Sequence, residues 1–162
     1  MIEHPIPPVY NEQSRVLILG SFPSVKSREM GFFYGHPQNR FWKVLSAIFR
    51  EEVPVGVDER KNFLLRNKVA VWDVIGSCDI VGSSDSSIKN VVVNDLSVIF
   101  ETADIRQIFV NGRTAARMFD KYLKPQIKRG AICLPSTSPA NAAWSLERLT
   151  EAWSDVGAFI RM

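Results

Sequence analysis

The segment Tyr34-Gly35-His36-Pro37-Gln38-Asn39-Arg40-Phe41-Trp42 packs three aromatic rings, a histidine, an asparagine and an arginine into nine residues. A loop that only connects two elements has no need of that mixture, whereas a site for a flat, polar group does. Tyr34 precedes Gly35, which leaves room for a planar base to stack on one face of its ring. Asn39 both donates and accepts hydrogen bonds, so it can hold a water for attack while staying uncharged. Its place at the start of the Arg40–Leu45 segment also suits a helix cap. Phe41 and Trp42 fall into helical spacing and read as core. Arg40 suits a phosphate or a carboxylate of the fold. His36, before Pro37, reads as a loop hydrogen-bonder and not as an acid–base catalyst.

Other short segments share this character: Gly20–Ser24 (GSFPS), Asp73–Ser77 (DVIGS), Asn111–Arg113 (NGR) and Pro135–Asn141 (PSTSPAN). All are small, polar and turn-forming. In the last, Ser138 is a good N-cap and Pro139 a good first helical residue. Hydroxyls and free N–H groups at such a helix start would grip an anion, or simply cap the helix. GSFPS lacks the Gly-x-x-x-x-Gly-Lys spacing of a phosphate loop, and the chain has no Gly-x-Ser-x-Gly elbow. Asp73, the two histidines and the many serines permit a hydrolase triad on paper, but nothing orders them. The histidines and the two cysteines, Cys78 and Cys133, show no zinc-ligand spacing. Two thiolates also cannot hold a typical iron–sulfur cluster. The expectation is a site without metal or cofactor.

The elements that must position these segments are legible from hydrophobic patterning. Val16–Leu19, Val69–Trp72, Gln107–Val110 and Ala131–Leu134 are short, nearly continuous apolar runs. They suit parallel strands covered on both faces. Helical spacing recurs in Phe41–Phe49, Ala115–Leu123 and a long segment from about Ala142 to Phe159, with weaker signals over Asp58–Arg66 and Asn94–Phe100. Alternating strands and helices imply an α/β fold: a three-layer α/β/α sandwich around a central, mostly parallel four-stranded sheet. In open parallel sheets the site lies beyond the carboxyl ends of the strands. Those ends carry GSFPS, DVIGS, NGR and PSTSPAN, so these segments should converge on one cleft.

The chain's 162 residues suit one globular domain, 1–162, with a sizeable core. Hydrophobic residues make up 46% and charged residues 23%, as in an ordinary folded protein. No apolar run is long enough to span a bilayer, and the acid, histidine and prolines of the first ten residues exclude a signal peptide. A cytoplasmic monomer with no membrane association is the expectation. Net charge is +3 with a pI of about 9.0, which weakly favours a polyanionic partner. Arg113, Arg117, Lys121 and Lys124 are spaced to share one helix face. That stripe could follow phosphates or be a plain solvated face.

The combination of Leu17–Ser24 (LILGSFPS), Gly31–Leu45 (GFFYGHPQNRFWKVL) and Leu134–Trp153 (LPSTSPANAAWSLERLTEAW) resembles the uracil-DNA glycosylase superfamily, with the motif match strongest to its mismatch-specific branch. The order of the motifs is preserved over nearly the whole chain. Two positions depart from that branch: Phe22 stands where the first motif has a catalytic asparagine, and Leu134 where the second opens on a histidine or asparagine. In both respects the sequence is similar to the hypoxanthine-DNA glycosylase branch, whose pattern gives catalysis to the asparagine corresponding to Asn39. The iron–sulfur branches do not fit the cysteine count.

The resemblance implies hydrolysis of the N-glycosidic bond between deoxyribose and hypoxanthine in DNA, after the base has left the stack. It implies that Phe22 or Tyr34 stacks on the base, and that N–H groups of the Gly20, Ser21 and Phe22 turn face its developing negative charge. Asn39 would hold the attacking water. Asp73 would polarise water or stabilise the sugar cation, or else only cap its own turn. Asn111 would touch a base edge, or serve as a turn residue before Gly112. DNA contacts would come from Lys26, Ser136, Thr137, Ser138 and Asn141. No lysine is placed for Schiff-base chemistry, so the expected product is an abasic site. The second motif offers no leucine wedge. Phe22 and Leu134 argue against a preference for uracil, because the polar edges of that base would go unpaired. Two rivals stay open: a mismatch-specific uracil or thymine glycosylase, and a lesion-binding protein that does not cut.

Overall fold

A computed structural model describes all residues, 1–162. The strands, in chain order, are β1 (Ile2–Glu3), β2 (Val16–Gly20), β3 (Val69–Asp73), β4 (Ile75–Asp79), β5 (Lys89–Val93), β6 (Gln107–Asn111) and β7 (Ile132–Leu134). The helices are α1 (Val25–Met30), α2 (Phe41–Phe49), α3 (Val57–Arg66), α4 (Ser97–Thr102), α5 (Arg113–Met118), α6 (Lys124–Ile127), α7 (Leu146–Ala152) and α8 (Asp155–Ile160). Strands β3, β2, β6 and β7 lie side by side in that order, all parallel. These are the apolar runs expected from the sequence.

Period-two alternation explains why each run is almost wholly apolar. Val16 and Ile18 of β2, with Val69, Val71 and Phe109, point to one core, closed by α2, α3, α7 and α8 through Phe41, Leu45, Phe63, Leu149, Trp153 and Val156. Leu17 and Leu19, with Ala70, Ile108 and Val110, point to the opposite core, closed by Ile75, Cys78, Ile99, Ala115, Met118 and Phe119. The sheet is therefore covered on both faces, as the three-layer reading requires. No helix is long and apolar enough to cross a membrane.

Three expectations need correction. Asp73–Ser77 was read as a turn-forming end, but Ile75–Asp79 is strand β4, paired antiparallel with β1 and β5 in a second sheet. Gly, Ser and Asp are poor strand formers in isolation, and neighbouring strands overrode that preference. The helix expected from Ala142 begins later, at Leu146, where the Ser145 hydroxyl accepts from the Arg148 N–H at 3.1 Å. It also breaks between α7 and α8 at Trp153–Ser154. Ser138 and Pro139 therefore start no helix. The guanidinium of Arg40 explains why: it donates to the carbonyls of Ser138, Asn141 and Trp144, which a continuous helix would need for its own ladder. Finally, a π-helical segment, Phe119–Leu123, joins α5 to α6. Its wider turn disrupts the spacing that would have aligned Arg113, Arg117, Lys121 and Lys124.

The N-terminal segment matters most for the site. Val9 bridges Val71 of β3, and Ile2 and Glu3 pair with Cys78 and Ser77 of β4. The residues between these two anchors are thereby laid across the carboxyl end of β3.

Candidate active site

The carboxyl ends of β2, β3, β6 and β7 do converge. Gly20–Ser24, Asp73, Asn111 and Ser136–Ser138, joined by Tyr34 and Asn39, line one cleft of about 400 Å³. A larger groove of about 880 Å³ runs between α4 and α6 and shares no residue with this cleft.

Gly20 ends β2 opposite Asp73, the last residue of β3. A side chain at Gly20 would place its Cβ 2.5 Å from Asp73 Oδ1 and 3.3 Å from the Tyr34 hydroxyl. Glycine therefore lets the carboxylate swing over the strand end. Beyond it, the Ser21 carbonyl accepts from the Ile75 N–H at 3.0 Å, but the N–H groups of Ser21 and Phe22 donate to no acceptor in the chain. The Phe22 ring meets His4 edge-on at 5.9 Å and carries the Arg28 guanidinium at 5.6 Å.

Asp73 is 4% exposed, and its partner is one that sequence reading missed. His4 Nε2 lies 2.7 Å from Asp73 Oδ2, with both side chains almost fully buried. The Ile6 N–H donates to His4 Nδ1 at 3.2 Å. That bond makes Nδ1 the acceptor and leaves Nε2 as the nitrogen that donates to the carboxylate. One oxygen of Asp73 is thus fixed and the other faces Gly20 and the cleft.

Tyr34 adopts φ of 51°, a left-handed conformation rare outside glycine and asparagine. Its ring stacks on Phe41, with centroids 3.9 Å apart at 16°. One face is therefore already covered, so the ring is a packed wall of the cleft. Its hydroxyl is buried without a hydrogen-bond partner. Burial, reinforced by the Asp73 carboxylate, pushes that phenol far above its usual range, against a smaller opposing influence from the Asn111 side chain.

Asn39 lines the cleft, and its Oδ1 also accepts from the Phe41 N–H at 3.0 Å. Arg40 is the N-cap of α2, and Asn39, one residue earlier, closes a short side-chain turn onto the first helical N–H. That bond fixes the direction of the amide, and its Nδ2 donates to nothing in the chain.

The opposite wall is different. Asn111 donates from Nδ2 to the Thr137 hydroxyl at 3.0 Å and accepts from the Thr137 N–H at 3.1 Å. Both ends of its amide are engaged in holding the loop. Thr137 is fully buried, so its hydroxyl cannot reach a phosphate. Ser136 Oγ accepts from the Ser138 N–H and Ser138 Oγ from the Ala140 N–H. Asn141 donates to the Ser136 carbonyl. Arg40, which sequence reading left between phosphate and carboxylate, serves neither: it clamps this loop through backbone carbonyls. Leu134 is 3% exposed and packs in the core. Lys26 is exposed outside the cleft lining and lies 3.8 Å from Glu29. No group of three His, Cys, Asp or Glu side chains converges on one point.

A polar cleft beyond the carboxyl ends of a doubly covered parallel sheet defines the class: an α/β protein of the open-sheet kind, whose members take ligands at the strand ends. The chain belongs to the Uracil DNA glycosylase superfamily, which it matches over residues 7–157. It is 32% identical to a hypoxanthine DNA glycosylase of Methanosarcina barkeri, over 92% of this chain and 94% of that protein. It is 34% identical to a hypoxanthine DNA glycosylase of Methanosarcina acetivorans, over 96% of this chain and 98% of that one. The solution NMR structure of a candidate uracil DNA glycosylase from Methanosarcina acetivorans superposes with a TM-score of 0.83 at 32% identity, covering 100% of both chains.

Proposed function

We propose that this chain is a monofunctional DNA glycosylase that hydrolyses the N-glycosidic bond of deaminated bases, hypoxanthine first among them. The observation that carries the proposal is the meeting, in one cleft, of Asn39, Asp73 and the unengaged N–H groups of Ser21 and Phe22. The relatives named for hypoxanthine support the choice of base.

On this reading the base leaves the duplex and enters the cleft. An ill-paired inosine is easier to extract than a matched base. Phe22 offers the stacking surface, with Tyr34 behind it as a wall. As the glycosidic bond breaks, the electron pair leaves with the base, and the N–H groups of Ser21 and Phe22 face the charge that develops there. One well-aimed donor is worth roughly 3 kcal/mol in a transition state. Asn39 holds a water by its free Nδ2. The water's oxygen bonds the cationic sugar carbon, and Asp73, oriented by His4, stabilises that cation and receives the released proton. Solvent carries that proton on to the departed base anion, so the products are the neutral free base and an abasic sugar, with Asp73 ionised again. DNA contacts come from Lys26 and Asn141 outside the cleft and from the exposed parts of Ser136 and Ser138 on its wall. The chain acts as a single domain and a monomer, in the cytoplasm, without a metal.

Labelled duplexes containing inosine, uracil, xanthine or a thymine mismatch, treated with alkali after incubation, test this reading. The expected result is scission dominated by the inosine strand. Scission of uracil or mismatched thymine alone would make the chain a mismatch-specific enzyme, and binding without scission would make it a lesion-binding protein.

A further inference from the structure

One carboxylate in the cleft has no part in the mechanism above. The turn joining β4 to β5 folds over the mouth of the cleft, and Ile80, Ser83, Ser84 and Asp85 line it. The turn is tied down. The Ser83 hydroxyl accepts from the Val25 N–H at 2.9 Å, and the Gly82 carbonyl accepts from Arg28 at 2.6 Å, fixing the tip to α1. The Ser87 hydroxyl closes the turn by donating to the Ser84 carbonyl at 2.7 Å while accepting from the Val81 N–H at 2.8 Å. Asp85 is solvent-exposed, yet protein atoms crowd its carboxyl. Desolvation is the largest influence there and raises its pKa, opposed by the nearby Thr114 hydroxyl, the Arg117 charge and the Ser21 hydroxyl. No ion pair occupies it. In its ionised form, which the Thr114 and Ser21 hydroxyls and Arg117 favour, Asp85 is an acceptor-only group on a braced turn, beside the residues that would surround a bound base.

Deamination leaves one mark common to its products. Adenine has a bare ring nitrogen next to its amino group, and cytosine does too. Replacing the amine by a carbonyl moves a proton onto that nitrogen, so hypoxanthine and uracil offer a ring N–H that their parent bases lack. An ionised carboxylate accepts from that N–H, whereas against the lone pair of adenine or cytosine it is left facing another acceptor. A base seated in the cleft would take the Asp85 carboxyl out of water, and a site built to accept from a ligand N–H then rejects the analogue that lacks it.

We infer that Asp85 is a specificity-determining residue: its carboxylate accepts from the ring N–H created by deamination and so rejects undamaged adenine and cytosine. The inference rests on the glycosylase reading above and deepens it. It also gives the cleft a base-edge reader apart from Asn111, whose amide is tied to Thr137 at both ends.

The test uses the full chain and duplexes carrying 2′-fluoro-arabino analogues of deoxyinosine and deoxyadenosine, which resist cleavage and so report binding alone. Wild-type protein is expected to bind the inosine duplex more tightly. Asp85→Ala and Asp85→Asn should cut that preference by about 10–100-fold, the worth of a hydrogen bond to a charged group. Asp85→Glu should recover part of it, and Asp85→Asn, whose amide can donate, should also strengthen binding of the adenosine duplex. A preference unchanged within about threefold in Asp85→Asn, on the free-energy scale used for variants, would overturn the inference, as would a wild type that binds both duplexes equally. Excision of deoxyinosine by the wild type is measured in parallel. If that excision occurs while the preference is insensitive to Asp85, only the specificity role falls; if no deaminated base is excised, the glycosylase reading falls and takes this inference with it.

Discussion

The two walls of the cleft are both rich in small polar residues, yet they use them in opposite ways. On the β6–β7 side, Asn111, Thr137, Ser136, Ser138 and Asn141 hydrogen-bond to one another and to the loop backbone, and Arg40 clamps the loop from outside. On the β2–β3 side, the Ser21 and Phe22 N–H groups are unengaged, and Asp73 is held through one oxygen by His4 so that the other is available. Polar composition alone therefore does not mark a catalytic wall. A group acts on a ligand only if the fold leaves its donor or acceptor open while fixing its direction.

That contrast yields expectations of graded size. Asp73→Asn keeps the shape of the β2–β3 wall but removes its charge, and single-turnover excision of deoxyinosine should slow by about 100- to 1000-fold. His4→Ala leaves the carboxylate in place without its orienting partner. The rate should fall about tenfold or more through misplacement alone, with DNA affinity unchanged. On the other wall the effect should move from rate to stability. Thr137→Val strands the Asn111 donor beside a buried methyl, so denaturant titration should show a loss of about 1–3 kcal/mol, while the rate per folded molecule stays within a few-fold. Lys26→Ala should do least. Affinity for any duplex should weaken slightly, and the salt dependence of binding should drop by about one phosphate contact. A large rate loss in Thr137→Val, or none in Asp73→Asn, would reverse the assignment of the two walls.

Much of this was legible in the sequence, for identifiable reasons. The parallel strands were visible because burial on both faces makes β2, β3 and β6 nearly continuous apolar runs. Their carboxyl ends then placed the cleft, and Asn39 and Asp73 within it. His4 was not legible. It lies 69 residues from Asp73, and its position depends on β1 pairing with β4, a strand whose Gly, Ser and Asp residues carry little strand preference of their own. Asn111 and Thr137, 26 positions apart, were each read as free because nothing local in the sequence reveals that they satisfy one another. The Arg40 clamp spans about a hundred positions and was hidden for the same reason. Local patterning reports which elements form, while long-range pairing decides which polar groups remain available.

The account stands on Asn39 as the residue that fixes the attacking water. Single-turnover excision of deoxyinosine by wild type and Asn39→Ala, measured alongside duplex affinity and thermal stability, tests this most directly. The expected outcome is a rate lower by about 100-fold or more, with affinity little changed and only the modest loss of stability that follows from removing one hydrogen bond to the first helical N–H, about 1 kcal/mol. Excision at the wild-type rate by a folded Asn39→Ala protein would contradict the account and leave Asn39 with only its bond to the start of α2.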